Sequence, residues 1–402
     1  MHTVDIRSTA FKRSPHEELA RALVNGPVVK ARVPIIGEVY FATTHEAVQS
    51  VLKGTDDFAV NARNAGHRSA FGIPLLPKSF RLLADNLLAM DDPRHQKLRR
   101  LADAPFRRVE IDKLRGRIEA LANERLDAFE SGDSPDIIPV FRELPLNVIS
   151  EMLGLSEGAR VRLGNELSAL SGAGSTFTII RAMFKMGRIV KQIRMEINLA
   201  RASPRPGLLN DLIHAESDED TMSEDDLVAM VLVLFVAGHD TTTNLMSSGL
   251  HTLLTFPGAW ETARGLDADG WRMAVDEVMR FCGPVQFTKP RFAKHDIDFY
   301  GVSLKRGEKI MALLAAANLD PAVFDNPLKL DLSRRPNRHA GWGGGPHICL
   351  GLHLAKMEAE ITLSQIVGRW PDMSIGGDLE WSKRLGVRGL VSFPVVRNGG
   401  TR

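Results

Sequence analysis

The sequence predicts a mainly α-helical fold with a small β-rich portion, organised as one domain over residues 1–402. Three observations lead there. Apolar residues recur at helical spacing through most of the first 280 positions, the longest such run reaching from Leu227 to about Leu254. Strand-like segments gather in two places, around residues 32–42 and 287–314, with one more at the tail. Neither an internal repeat nor a linker divides the chain, so helices and strands are expected to share one core.

Composition agrees with an ordinary globular protein: 44% hydrophobic and 25% charged residues, with a net charge of +2 that is too near neutral to signal nucleic acid. Only two cysteines occur, Cys282 and Cys349, which argues against a disulfide scaffold and for a reducing compartment. Met1 to Glu17 is polar and lacks the apolar segment of a secretory signal. The apolar run Leu227–Ala237 is shorter than a bilayer span. The expectation is a soluble, cytoplasmic protein without a membrane partner.

Taken in order, Arg32–Pro34 and Val39–Ala42 read as short strands on either side of Gly37, followed by a helix from His45 to Leu52. Asn61–Lys78 is loop-like. It is either plain surface or a pocket rim, and Arg63, Arg68 and Lys78 are candidates to meet a carboxylate. Asp92 reads as a cap and Pro93 as the first residue of a basic helix. From Arg94 to Arg117 nine Lys/Arg stand against three Asp/Glu, either a solvated face or a docking patch for an acidic partner. Pro145–Leu155 is a mostly apolar segment, and Phe177 to Met186 is a greasy stretch read as core. Glu216–Asp220 is an acidic turn.

Ser223-Glu224-Asp225-Asp226 resembles a capping box and opens the long helix. Its centre, Ala237-Gly238-His239-Asp240-Thr241-Thr242-Thr243, holds poor helix formers where burial should be greatest, a conflict typical of functional sites. Gly270–Phe281 is a helix with Glu277 and Arg280 at ion-pair spacing. Strands are expected at Phe287–Arg291, Asp298–Tyr300 and Lys309–Leu314. A long irregular section from Phe324 to Gly345 should be packed against something.

That section ends in Gly341-Trp342-Gly343-Gly344-Gly345-Pro346-His347-Ile348-Cys349-Leu350-Gly351, a forced irregular backbone running into a helix with apolar residues Leu350, Leu354, Met357 and Ile361. A cysteine there meets N–H groups and a helix start, both of which favour the thiolate. Four readings compete. They are a tight turn with an inert buried cysteine, a phosphate cradle lacking its Lys-Ser/Thr pair, a metal site from His347, Cys349 and His353, and a single thiolate ligating haem iron.

Taken together, these stretches resemble the cytochrome P450 family of the soluble bacterial class. Trp342-Gly343-x-Gly345-x-His347-x-Cys349-x-Gly351 is similar to its haem-thiolate loop, Ala237-Gly238-x-Asp240-Thr241 to its oxygen-activating helix, and Glu277-x-x-Arg280 to its ion pair. The resemblance implies haem b held between the long central helix and the cysteine-loop helix. Cys349 is then the iron ligand, and His95, Arg99, Arg291 and His339 hold the propionates. Trp342, Gly343, His347 and Gly351 complete the cofactor loop. Trp342 stands where most members carry phenylalanine, and Leu319 interrupts the usual Asn-Arg-Asp-Pro segment.

The resemblance further implies that Asp240 supplies protons and Thr241 donates a hydrogen bond to the oxygen being cleaved. Glu277 and Arg280 lock the irregular segment. Leu234, Ala237, Gly238, Val285 and Phe287 line a pocket for an apolar or amphipathic small molecule. No Gly-x-Gly-x-x-Gly follows a strand, so electrons must come from separate proteins, an iron–sulfur ferredoxin with its NAD(P)H-dependent reductase docking on Arg100, Arg108 and Arg115. A monooxygenase is the leading reading. A peroxide-driven peroxygenase would usually lack the Asp240–Thr241 pair, and a non-enzymatic haem or gas-binding protein would need neither that pair nor a reductase patch.

Overall fold

The computed structural model describes residues 8–34, 36–68, 86–168, 176–216 and 222–397. Residues 69–80 of the first loop, with Lys78, lie outside the described residues. So do residues 217–220 of the acidic turn and the side chains of Phe177 to Phe184. Met186, the end of that greasy stretch, is buried in the core.

Helices α1 (Thr9–Arg13) and α2 (His16–Val24) precede a hairpin of β1 (Val28–Val33) and β2 (Gly37–Ala42), in register from Val28↔Ala42 to Val33↔Gly37. Helix α3 (His45–Lys53) starts at Thr44, whose hydroxyl accepts from the Ala47 N–H, and β3 (Phe58–Ala59) follows. In α4 (Arg94–Asp103) the cap position falls on Pro93 rather than Asp92. Asp92 Oδ1 instead accepts from the Gln96 N–H at 3.1 Å, one turn inside. Next come α5 (Arg108–Asp112), α6 (Arg115–Ser131), α7 (Ile138–Leu153), α8 (Glu157–Ser168), α9 (Thr176–Ala202) and α10 (Leu208–Glu216). Pro145 lies inside α7, so the apolar segment expected from it onward is the second half of a longer helix.

The organising element is α11 (Glu224–Thr255). Ser223 accepts from the Asp226 N–H while the Asp226 carboxylate accepts from the Ser223 N–H, the expected capping box. By length and composition α11 could cross a membrane, but 72% of its most apolar window is buried inside the protein, as suits a core helix. Leu227 to Phe235 pack against α7, α9 and α10, whereas Leu245 to Leu253 pack against α13 (Ala268–Cys282), which follows the short α12 (Ala259–Arg264). The burial of α11 on all sides explains why its pattern lacks a polar face.

Strands β4 (Arg291–Ala293) and β7 (Lys309–Ala312) flank a separate hairpin, β5 (Ile297–Phe299) with β6 (Val302–Leu304). They join the N-terminal strands in one sheet of order β1-β2-β7-β4-β3, with β2 and β7 parallel (Tyr40↔Ile310) and the other neighbours antiparallel. The expected strand at Phe287–Arg291 begins only at Arg291, since Pro290 has no N–H to give a ladder. After β7 the chain turns into α14 (Leu314–Ala317), then the irregular segment, then α15 (Leu352–Arg369). The tail forms β8 (Ser374–Ile375) with β11 (Val395–Val396), and β9 (Glu380–Trp381) with β10 (Leu390–Ser392).

Candidate active site

Backbone hydrogen bonds close the cysteine loop. The Cys349 N–H donates to the Trp342 carbonyl at 2.9 Å and the Gly343 N–H to the Ala340 carbonyl at 2.9 Å. Gly345 has φ +61°, and a Cβ there would meet the Leu52 carbonyl oxygen at 2.2 Å, so only glycine lets the loop lie against α3. The result is an exposed Cys349 side chain just ahead of α15. Although exposed, it sits within the protein envelope. Burial pushes its thiol up, opposed by the Gly351 N–H and the Arg99 charge. Cys282 differs: it is buried and bonds to the Val278 carbonyl, as an inert core residue does.

Around His347 the fold gathers basic residues from two other segments, α4 and residues 289–291. The His95 and His347 rings lie 4.1 Å apart. Burial is the main cause holding His347 down to about 3, and His95, Arg291, Arg99 and Lys289 add to it. His95 is buried, with Nδ1 3.3 Å from Asp92 Oδ1, and its Nε2 is buried without a partner among the described residues. Arg291 is 4% exposed and pushed down to about 10 by burial. The carboxylate nearest to it in effect, Asp91, is already committed to the N–H groups of Val60 and Asn61 and to the Asn64 amide. Lys289 was not among the sequence candidates. Its side chain is exposed yet enclosed by protein, and desolvation lowers its pKa.

His339 does not join this cluster. Its Nδ1 accepts from the Gly341 N–H at 3.2 Å and its Nε2 lies 3.6 Å from Asp276 Oδ1, so both ring nitrogens are used in bracing the loop. Asp276 also takes Lys356 at 2.6 Å. The Trp342 indole N–H is buried without a partner among the described residues, close to His339.

Helix α11 is buried along most of its length but becomes half-buried at Val236, Ala237, Gly238, Asp240 and Thr241. It is not broken there. Thr241 Oγ1 donates to the Ala237 carbonyl at 2.6 Å, Thr242 Oγ1 to Gly238 at 3.1 Å and Thr243 Oγ1 to His239 at 2.8 Å, so the hydroxyls back-bond within a continuous helix. Asp240 is ion-paired with Arg384, a residue 144 positions away in the tail. His239 beside it is buried, and burial lowers its pKa.

Among the pocket candidates, Ala237, Val285 and Phe287 are half-buried, and Phe287 stands edge-on to Phe41 at 5.5 Å. Leu234 is buried within the core cluster. Gly238 serves helix packing, since a Cβ on it would meet Ile149 of α7 at 3.3 Å.

Glu277 and Arg280 are fully buried on α13 and paired through two bonds of 2.8 and 2.7 Å. Arg280 also donates to the carbonyls of Asn318, Pro327 and Lys329. Glu277 accepts from the Asp331 N–H, Arg334 and Asn337. The pair thus ties down residues 318–337, which explains how so long an irregular stretch stays packed.

The basic run is less of a patch than its composition implies. Arg94 bonds Asp226, Arg107 lies 3.4 Å from Asp103, Lys113 2.8 Å from Glu110 and Arg117 2.6 Å from Glu151. Arg115 is committed to buried Glu360 at 3.0 Å, which removes it from the expected docking face. Arg100 and Arg108 remain exposed, although Arg108 Nε lies 3.8 Å from Asp112 Oδ2, and Arg108 acts on exposed His353, four residues beyond Cys349. A separate open cleft of about 670 Å³, bordered by Arg115, Trp271 and Glu360, contains none of the residues read as catalytic or cofactor-binding.

Comparison with known proteins accords with this constellation. The family model for cytochrome P450 matches residues 180–264 and 271–371. The polyketide biosynthesis cytochrome P450 PksS of Bacillus subtilis is 31% identical over 394 residues, covering 96% of each chain. Its solved structure superposes with a TM-score of 0.88 over 99% of this chain and 100% of that one. The 6-deoxyerythronolide B hydroxylase of Saccharopolyspora erythraea is 32% identical over 79% of each chain. A myxobacterial cytochrome P450 solved with myristic acid gives a TM-score of 0.87 at 29% identity, over 98% of this chain and 99% of that one.

The chain belongs to the cytochrome P450 family. It is a P450 monooxygenase, and its cofactor is haem b. The residues fit that group. An accessible sulfur offers the single ligand iron requires, and the cations around the unpartnered His95 Nε2 suit two carboxylates.

Proposed function

We propose that this enzyme oxygenates an apolar or amphipathic small molecule, with Cys349 as the iron ligand and Asp240 and Thr241 as the proton supply. His95, Arg99, Arg291 and His347 hold the haem propionates, and Trp342, Gly343 and Gly351 shape the loop beneath. The whole chain acts as one domain, in the cytoplasm. The observation that carries the reading is the exposure pattern of α11, a core helix whose interior, away from its two end turns, opens at Val236–Thr241 around the acid–alcohol pair.

Bound haem supplies the redox chemistry that splits dioxygen with two electrons and two protons, one oxygen atom entering substrate and the other leaving as water. The protein's share is to deliver those protons and exclude others. Asp240 offers its carboxylate as the relay point for those protons. Thr241 Oγ1 donates to the Ala237 carbonyl, and to relay a proton it accepts one at a lone pair while turning its own O–H from that carbonyl towards the acceptor oxygen. Val285 and Phe287 offer uncharged surface against which an apolar substrate is held.

Relatives named for polyketide biosynthesis and for 6-deoxyerythronolide B, and a neighbour solved with myristic acid, support large, mostly apolar substrates. Electrons come from an acidic iron–sulfur ferredoxin, itself reduced by an NAD(P)H-dependent reductase. The exposed Arg100 and Arg108 support docking on the cysteine-loop side, where Ile348 is 43% exposed.

The test is a spin-state titration of the holoenzyme with 6-deoxyerythronolide B, myristic acid and testosterone, followed by turnover with NADPH, ferredoxin and reductase or with hydrogen peroxide alone. A low-to-high-spin shift and oxygenated product only with the electron-transfer proteins are expected. Product formed as fast with peroxide alone would overturn the reading. In the same assay Arg100→Glu with Arg108→Glu should slow reduction by ferredoxin and flatten its salt dependence, and an unchanged rate rejects that face.

A further inference from the structure

The carboxylate of the acid–alcohol pair has a partner that nothing near it in sequence announces. Arg384 reaches Asp240 from the turn between β9 and β10, and both side chains are partly exposed, Arg384 at 38% and Asp240 at 19%. The turn that carries Arg384 is anchored on two sides. On one side it is joined to the pocket wall. The Gln286 N–H donates to the Gly386 carbonyl at 2.9 Å, the Arg388 N–H to the Pro284 carbonyl at 2.7 Å, and Val285 forms a β-bridge with Val387. Gly386 packs so tightly on Phe287 that a Cβ there would lie 2.7 Å from the ring. On the other side Lys12 of α1, 2% exposed, donates its ammonium to the carbonyls of Arg384 and Val387.

We infer that Arg384 is the positioning residue for Asp240, held by a turn that fuses the Val285–Phe287 pocket wall to the proton-supplying carboxylate. This inference rests on the proposed role of Asp240. An Asp on a helix face has several rotamers, and only a fixed one serves proton transfer reproducibly. Arg384 supplies that fixation: a guanidinium presents rigidly oriented donors, and its backbone is clamped at both ends of the turn. Because the same turn contacts Phe287, a substrate that displaces this wall also displaces the cation holding Asp240. Substrate seating and proton supply are thereby coupled through one short segment.

A double-mutant cycle on the holoenzyme tests this, with Arg384→Gln, Arg384→Lys, Asp240→Asn and Arg384→Gln/Asp240→Asn. NADPH consumption is measured with ferredoxin and reductase in H2O and D2O, without substrate and with saturating 6-deoxyerythronolide B, myristic acid or testosterone. Positioned proton-transfer groups contribute roughly 10²–10⁴-fold, and a residue acting through one should cost less, about tenfold in kcat. The inference expects that loss in Arg384→Gln, a larger solvent isotope effect, and a spin-shift Kd within about twofold of wild type. Arg384→Lys should recover most of the rate, and the double variant should be no slower than Asp240→Asn. Thermal midpoints and carbon-monoxide spectra of the holoenzymes separate these effects from misfolding. If Asp240→Asn slows turnover while Arg384→Gln does not, or if the two losses multiply, the inference fails and the role of Asp240 stands. If Asp240→Asn itself leaves rate and isotope effect unchanged, both fail.

Discussion

Replacing Arg280 by alanine should destabilise the enzyme more than any single surface change. The guanidinium is 0% exposed and makes two bonds to Glu277 and three to main-chain carbonyls of residues 318, 327 and 329. Removing it leaves a buried carboxylate that keeps Arg334, 8% exposed, as its cationic neighbour, together with three carbonyls that lose a donor. Breaking a buried ion pair from one side costs about 3–5 kcal/mol, and the remaining Arg334 keeps the loss within that range. An unfolding entropy of about 2.1 cal/mol/K per residue over 402 residues turns this into a fall of about 4–6 °C in thermal midpoint. The assay is thermal unfolding of the holoenzyme followed by circular dichroism and by haem absorbance. Loosening of 318–337 should make the haem signal change first, since that segment leads into the cysteine loop. Arg280→Lys should rescue little, because one ammonium cannot reach five acceptors arranged around a planar fork. A midpoint within 1 °C of wild type in Arg280→Ala would refute the reasoning.

Three further outcomes follow from buried titratable groups. His16 and His251 are held neutral by burial, each lowered to about 4. The unfolded chain therefore takes up protons that the folded one refuses. Stability should be full above about pH 6.5 and decline towards pH 4, and His251→Phe should flatten part of that decline in pH-dependent thermal melts. Glu358 on α15 is 1% exposed with both oxygens unpartnered among the described residues, and burial raises its pKa well above the usual carboxylate value. The folded protein keeps a proton that the unfolded chain releases above about pH 4.5. Glu358→Leu should then raise the thermal midpoint at pH 8 more than at pH 5, and an equal effect at both would contradict a neutral acid. Arg291→Ala should speed haem transfer to apomyoglobin by about tenfold, as loss of a buried charged donor implies, and an unchanged rate would remove Arg291 from the propionate site.

What was legible in the sequence was whatever is encoded locally. The capping box at Ser223–Asp226, the i,i+3 pair Glu277–Arg280 and the glycines of the cysteine loop each announce themselves within a dozen residues, and the structure places them as the spacing implies. Long-range partnerships were not legible. Arg384 reaches Asp240 across 144 residues and Arg115 reaches Glu360 across 245, and no periodicity carries such pairings. His339 illustrates the same limit: its residue type suits a carboxylate donor, but the packing of α13 puts Asp276 beside it. The poor helix formers at the centre of α11 do not interrupt it, because tertiary burial overrides propensity and three threonine hydroxyls are satisfied on the helix's own carbonyls. Lys289 escaped notice because a lone lysine next to Pro290 looks like loop surface until the fold encloses it.

The claim on which the rest depends is that Cys349 sulfur ligates the haem iron. The most direct measurement is the reduced carbon-monoxide difference spectrum of purified wild type beside Cys349→Ser. Wild type should give the red-shifted band of a thiolate-ligated haem and Cys349→Ser should lose it while Cys282→Ser retains it. An unchanged band in Cys349→Ser would contradict the account.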